Sequence, residues 1–290
     1  MATLAVSPNQ NLSISRRFTG FWQETAVLYH RAMLKLVRRP IALYFSLVQP
    51  MVWLLLFGQI FSSITNLPGA ASAFGGISYF QFFMPAVILQ TLLFGAAQSG
   101  IGIINDIDTG FLDKLLTTPI NRMAILLGKI LADLTRMLLQ GGIIVLVAWI
   151  FGRFQSVPVT FANGLPGLVG ALGVALLFGL ALAGFNVFVA LKTRNTETAF
   201  LIANFLTLPL LFTSSAQLPL QLLPTWLQTV AKFNPVTYAI DAMRILFNGA
   251  ATVPDATNPT ALVLETVVIL GALTALTLTL AVRTFRKSVH

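Results

Sequence analysis

Three of the chain's nine acidic residues, Asp106, Asp108 and Asp113, fall within one segment, NDIDTGFLDKLLTTPINRMAILLGK, residues 105–129. Carboxylates grouped in this way can hold Mg2+ against a phosphate, the chemistry of an intramembrane lipid-modifying enzyme. Only Glu197 could join them from another loop, and the two histidines, His30 and His290, lie in basic flanks. Asp133 and Arg136, and likewise Asp241 and Arg244, are spaced i, i+3 and could pair on one helix face. The chain has no cysteine, which excludes disulfides, cysteine-ligated metals and thiol nucleophiles. Its one Gly-Lys pair, Gly128-Lys129, is followed by Ile130, so no G-x-x-x-x-G-K-[ST] loop is present to cradle ATP phosphates. The expectation is a chain with no catalytic residue and no metal site, whose charges set position rather than perform a reaction.

The elements that must position these residues are set by composition. The chain is 56% hydrophobic and 9% charged over 290 residues. A soluble domain carries about 25% charged residues, so there is too little charge here to cover a water-facing surface. An all-α polytopic membrane protein is predicted. The net charge of +9 is spread among apolar runs rather than gathered on one soluble face, which argues against nucleic acid as a partner.

A hydrocarbon core of ~30 Å takes about 20 helical residues to cross. Six transmembrane helices are predicted, at 41–61, 79–103, 124–151, 168–191, 198–213 and 261–282. The fifth is short, reaching roughly 24 Å, and Pro209 interrupts it. Of the 18 Lys and Arg residues, fourteen fall in the N-terminal flank, the second and fourth loops and the tail. Only Arg153, Lys232 and Arg244 fall on the opposite side, with Arg136 inside the third run. By the positive-inside rule both termini are cytosolic.

Ahead of the first run, residues 18–39 place Phe18, Phe21, Trp22, Leu28, Tyr29 and Leu36 on one helical face and Glu24, Arg31, Lys35 and Arg38 on the other. This pattern predicts an amphipathic helix in the cytosolic interface, with residues 1–17 as a disordered tail. Within 105–129, Ile107, Phe111, Leu115 and Thr118 recur at helical spacing with Asp106, Asp113 and Lys114 off that stripe. A short surface helix between the second and third spans is predicted. Phe111 is its largest apolar group. An aromatic there either buries against the chain itself or fills a partner's pocket, and the second is the expectation.

Between the fifth and sixth runs lie about 47 residues with few charges, too apolar for an aqueous loop. Pro219, Pro224 and Pro235 prevent one continuous helix. Two short helices, 224–233 and 235–248, each open at or near a proline and predict a hairpin dipping back into the outer leaflet. Non-helical backbone at that depth persists only where protein or a water-filled cavity satisfies it. The hairpin is therefore expected to border the exit of a pathway, with Asp241 and Arg244 partly buried. Small residues recur every fourth position at Ala175, Gly179 and Ala183 and again at Gly271 and Ala275, a spacing that lets helices approach closely.

Two of these segments carry a resemblance. The run D-x-x-x-G-F-L-D-K-L-L-T-T-P at 106–119 and LLPTWLQTVAKFNPVTYAIDAMR at 222–244, each in its topological place, resemble the permeases of the type-2 ABC exporter family. That family includes daunorubicin-resistance permeases and exporters of polysaccharides, nodulation factors and teichoic acids. The likeness covers residues 18–290 as a single transmembrane domain.

The resemblance implies two permease copies, giving a homodimer, and two cytosolic ABC ATPase subunits that hold ATP and Mg2+; the permease binds neither directly. It implies that Asp106, Asp108, Gly110, Phe111, Leu112, Asp113 and Lys114 form a coupling helix seated in the ATPase. Pro224, Asn234, Pro235, Tyr238, Asp241 and Arg244 would belong to an external re-entrant gate. The intramembrane pair Asp133 and Arg136 reads as a self-satisfied structural contact near the cytosolic end. The implied activity is export, from the cytoplasm, of an amphipathic, drug-like or lipid-linked cargo, since the spans offer no ionisable cluster for a small ion. Export of a polysaccharide or glycolipid is the alternative, although 4 Trp and 4 Tyr are few for glycan platforms beside 23 Phe. An ion-driven secondary transporter would need buried carboxylates and inverted repeats, and only Asp133 lies deep. The expected setting is the bacterial plasma membrane or an organelle of bacterial descent, with membrane lipids as neighbours.

Overall fold

Apolar runs that cross a bilayer must satisfy their own backbone, and this chain does so with helices. The computed structural model describes residues 14–38, 40–63, 70–154, 159–254 and 256–288. The elements are α1 (Ile14–Arg38), α2 (Pro40–Ile60), α3 (Ala70–Ala73), α4 (Tyr79–Asp108), α5 (Phe111–Leu116), α6 (Arg122–Phe154), α7 (Gly164–Thr193), α8 (Thr196–Phe212), α9 (Thr225–Lys232), α10 (Pro235–Asn248) and α11 (Pro259–Ser288). Short 3-10 turns at Leu220–Leu222 and Ala250–Thr252 flank α9 and α10.

Among the described residues α4, α6, α7 and α11 are long and apolar enough to cross a membrane by length and composition, while Ser46–Ile60 and Thr196–Phe212 are shorter apolar stretches. All six runs expected to span therefore fold as helices, and four meet the full length. Several helix starts are set by short polar side chains that accept from the first-turn amides. Ser78 Oγ accepts from Gln81 N at 3.3 Å for α4, and Asn195 Oδ1 accepts from Thr198 N at 2.8 Å for α8. The interfacial helix starts earlier than expected: residues 14–17, assigned to the tail, belong to α1, and 1–13 lie outside the described residues.

Burial orders the helices. In the apolar windows of α4 and α7, 72% of residues are buried, against 33% for α6 and 22% for α11, which makes α4 and α7 the central pair. At one end Ile103 of α4, Leu112 of α5, Leu126 of α6, Leu191 of α7 and Phe285 of α11 form a single cluster. At the other end Phe61 packs on Tyr79, Phe80 stacks on Phe151 with centroids 5.7 Å apart, and Phe161 meets Phe247. The C-terminal ends of α4, α7 and α11 thus meet the start of α6, so these three helices run parallel to one another and antiparallel to α6. The basic loops are gathered at this first end.

The two small-residue stripes part company. Ala175 and Ala183 are buried, and a Cβ on Gly179 would sit 3.0 Å from Met137 Sδ, so that stripe packs inside the chain. Gly271 faces open space and Ala275 is exposed, so the second stripe marks no close contact among the described residues.

Single cysteines placed at Thr118, Thr193 and Asn258 of the cysteine-free chain test the sidedness. An impermeant thiol reagent applied to intact cells is expected to label Asn258 alone. Labelling at Thr118 or Thr193 without Asn258 would invert the topology.

Candidate functional site

The segment singled out at 105–129 is built differently from a free surface helix. α4 runs through to Asp108, so Asp106 and Asp108 occupy its last turn. Thr109 closes that turn, its N–H and hydroxyl both donating to Asn105 O, at 3.1 and 2.7 Å. Gly110 then adopts φ +64°, a left-handed conformation that costs a residue with a side chain but not glycine. The reversal breaks the helical phase, so the expected single stripe divides and α5 is left with Phe111–Leu116 alone. Leu112 is buried in the cluster where the ends of α4, α6, α7 and α11 meet, while Asp108, Asp113 and Lys114 are exposed at the tip.

Charged groups of α1 hold this knuckle from behind. Lys35 Nζ donates to Asp106 Oδ1 at 3.1 Å, and Arg31 Nη2 lies 3.8 Å from the same oxygen. The Arg31 guanidinium also stacks over the Phe111 ring, 3.2 Å from its centroid. Phe111, for which a partner's pocket was the expectation, finds its contact within the chain. α1 is in turn fixed to α6: Glu24 Oε2 accepts from Asn121 N at 2.9 Å, and Tyr29 Oη and Thr135 Oγ1 share a hydrogen bond of 3.2 Å. At Gly128 the two helices touch so closely that a Cβ would lie 3.1 Å from Thr25 O. Exposed ion pairs of this kind are each worth about 0–1 kcal/mol, so the attachment rests on many small contacts.

Arg31, Lys35 and Glu24 had been read only as the polar face of an interfacial helix. The i, i+4 spacing of Arg31 and Lys35 was the available signal that both could reach one carboxylate. With Asp106 engaged by both cations, the carboxylate group does not assemble as a metal site. Among the described residues no three His, Cys, Asp or Glu side chains lie close enough to hold an ion.

Asp133 and Arg136 pair at 3.2 Å, and Arg136 Nη2 donates to Gly95 O at 2.7 Å, which pins α6 to α4. Both residues line an open-sided cavity of about 530 Å³ between α1, α4, α5 and α6, with Arg31, Lys35, Asp106 and Phe111 on its wall.

At the other end, α10 is wedged among α4, α7 and α11, with Val236, Ile240, Met243 and Phe247 in the main core. α9 lies outside it, exposing Trp226 and Phe233. Asn234 joins the two. Its Oδ1 accepts from Val236 N at 2.9 Å and caps α10, while Nδ2 donates to Leu210 O at 2.6 Å, satisfying a carbonyl at the end of the short α8. Pro235 follows at the first helical position, where its missing N–H costs nothing. Pro224 is exposed at the start of α9, and the half-buried Tyr238 accepts a 3.3 Å hydrogen bond at its carbonyl from Thr266 on α11.

Arg244 is 1% exposed. Nη1 bonds Asp241 Oδ1 at 3.1 Å and Ser215 Oγ at 3.3 Å, Nη2 donates to Ser215 O at 2.8 Å and Ala216 O at 3.2 Å, and Nε donates to Phe82 O at 3.3 Å. The guanidinium also lies 3.6 Å from the centroid of the Phe82 ring. Ser215 donates its hydroxyl to Asp241 Oδ1 at 2.8 Å and completes the ring of bonds. The turn after α8 is non-helical and buried, so its carbonyls need a donor, and Arg244 supplies it. Ser215 and Phe82, which the sequence did not single out, are therefore part of this site. The other end of α10 is held by α7, where Asn163 Nδ2 donates to Ile245 O at 2.9 Å and Leu246 O at 3.1 Å.

The profile of the family described as "ABC-2 type transporter" matches residues 23–248. The chain is 33% identical over 245 residues to "Putative transport permease ycf38" of Cyanophora paradoxa, covering 83% of this chain and 79% of that one. It is 26% identical over 244 residues to "Daunorubicin resistance ABC transporter permease protein DrrB1" of Streptomyces coeruleorubidus, covering 84% and 79% of the two chains. With "Probable doxorubicin resistance ABC transporter permease protein DrrC" of Mycobacterium tuberculosis it shares 23% identity over 224 residues, 77% of this chain and 76% of the other.

Proposed function

The chain belongs to the ABC-2 type transporter family, and from that premise we propose that it is the membrane subunit of an ATP-driven exporter of an amphipathic, drug-like or lipid-linked cargo. It is a multi-pass membrane protein and a transport subunit of a family whose ATP-binding subunit is separate. In this reading six helices, α2, α4, α6, α7, α8 and α11, span the bilayer in each of two permease copies. Two cytosolic ATPases hold ATP and Mg2+.

The observation that carries the proposal is the knuckle at Asp106–Leu116. It lies at the C-terminal end of α4, offers Asp108, Asp113 and Lys114 outward, and is fastened to α1 and to the cluster where four helix ends meet. A push on α5 reaches all of these. The buried Arg244 network would hold the external side closed around the end of α8 until such a push arrives. The drug-resistance permeases among the relatives favour an amphipathic cargo.

The test is export of an amphipathic dye from proteoliposomes. Transport is expected only with a co-purified ABC ATPase and ATP-Mg2+. Transport driven by a proton or sodium gradient without the ATPase would assign a secondary transporter. Turnover of a phospholipid by the permease alone with Mg2+ would assign an enzyme.

A further inference from the structure

The cavity at the cytosolic end has more positive charge than its own carboxylates neutralise. Its wall carries four cations, Arg31, Lys35, Lys129 and Arg136, against three carboxylates, Asp106, Asp108 and Asp133. Asp106 is taken by Arg31 and Lys35, and Asp133 by Arg136. Lys129 makes no hydrogen bond or ion pair among the described residues. Its ammonium points across to α4 at Gly102, where a Cβ would lie 2.7 Å from Nζ, so the absence of a side chain there makes the room it occupies. Arg136 also keeps its Nε–H buried without an acceptor. Two donors in one partly apolar cavity thus lack acceptors; the third carboxylate, Asp108, is exposed to solvent, and one net positive charge remains on the wall for an anion to meet.

The remaining wall says how that anion is carried. Leu28, Ile103 and Leu126 line the same space, and a free inorganic ion would have no use for them. Lys129 is seven residues into α6, roughly 10 Å along the axis from Arg122, at the depth where headgroups meet acyl chains. A cationic amphiphile would meet a wall of its own sign. We propose that this cavity binds the phosphate headgroup of an anionic phospholipid of the cytosolic leaflet, with Lys129 as its principal contact and the acyl chains leaving along the apolar wall. The lipid fills the space between α1 and the bundle and so becomes part of the attachment between α1 and the knuckle. This inference rests on the membrane placement given above and not on the identity of the cargo.

Native mass spectrometry of the purified full-length protein tests it, with phosphatidylglycerol and phosphatidylcholine as probes and inorganic phosphate as competitor. The wild-type protein is expected to retain phosphatidylglycerol in preference to phosphatidylcholine, undisturbed by inorganic phosphate. Lys129→Gln should weaken that retention roughly fivefold, as expected for one basic residue at an anionic lipid surface, whereas Lys129→Arg should keep it. Gly102→Val should weaken it with every charge retained, by displacing the Lys129 ammonium. Lys287→Gln, at the exposed end of α11 and outside this cavity, should leave lipid retention unchanged. Equal retention by wild type and Lys129→Gln overturns the site, as does equal retention of the two lipids. Complete displacement by inorganic phosphate would make it a free-anion site and overturns the lipid assignment. ATPase co-purification is measured on the same samples: lost lipid preference with normal co-purification defeats this inference alone, and the converse defeats the permease reading alone.

Discussion

Arg244→Ala is expected to remove about 3–5 kcal/mol of stability, the range for breaking a buried ion pair by deleting one partner. A folded protein has only about 5–15 kcal/mol in total, so little folded permease should survive purification. The size of the effect follows from what is left behind. Asp241 would remain 7% exposed, and the Ser215, Ala216 and Phe82 carbonyls would each lose a donor. Arg244→Lys should fail to rescue, because an ammonium cannot reach the Asp241 carboxylate and the two turn carbonyls from one planar fork. Asp241→Ala should be nearly as harmful, since it strands a buried guanidinium. Thermal unfolding in detergent and the yield of monodisperse protein measure both. If Arg244→Ala and Asp241→Ala each unfold at the wild-type temperature and export normally, this segment is an ordinary surface loop and the gate assignment fails.

The second large effect is expected at the knuckle, where the structure divides a role the sequence had given to one residue. Asp113 and Lys114 are exposed and should meet the ATPase directly, setting register and on-rate more than affinity. Charge reversal at both, Asp113→Lys with Lys114→Glu, is expected to lower ATPase co-purification in a salt-dependent way. Phe111 sits beneath Arg31, and truncating a well-packed aromatic anchor commonly costs about 2 kcal/mol or more. Phe111→Ala should therefore detach α5 from α1, leaving the ATPase bound and hydrolysing ATP while transport per ATP falls at least roughly tenfold. Normal transport by Phe111→Ala would remove it from the link. Loss of the ATPase in Phe111→Ala would instead restore the reading in which the ring fills a partner's pocket.

What could be read from the sequence was whatever depends on neighbours along the chain. Apolar run length marked the six helices that include α2 and the short α8, and the distribution of Lys and Arg marked the end at which α4, α6, α7 and α11 gather their charge. Proline positions divided the segment at 215–250 into α9 and α10, with Pro235 in the place expected of it. The i, i+3 spacings of Asp133 with Arg136 and of Asp241 with Arg244 survive as contacts of 3.2 and 3.1 Å, because one helical turn brings such residues together whatever surrounds them.

Tertiary structure alone decided the rest. The knuckle's division into an α4 end and a separate α5 turns on the left-handed conformation of one glycine, and no periodicity reveals a backbone torsion. Arg31 lies over Phe111, and Arg244 reaches Phe82, a residue 162 positions away. Neither pairing leaves a trace in local spacing, since a guanidinium can serve any carbonyl or ring that packing brings within reach. Pattern along the chain records which faces must be buried. Which buried groups then meet is set by the crossing of helices, and at Gly128, Gly95 and Ser215 that crossing placed the contacts on which this transporter is proposed to turn.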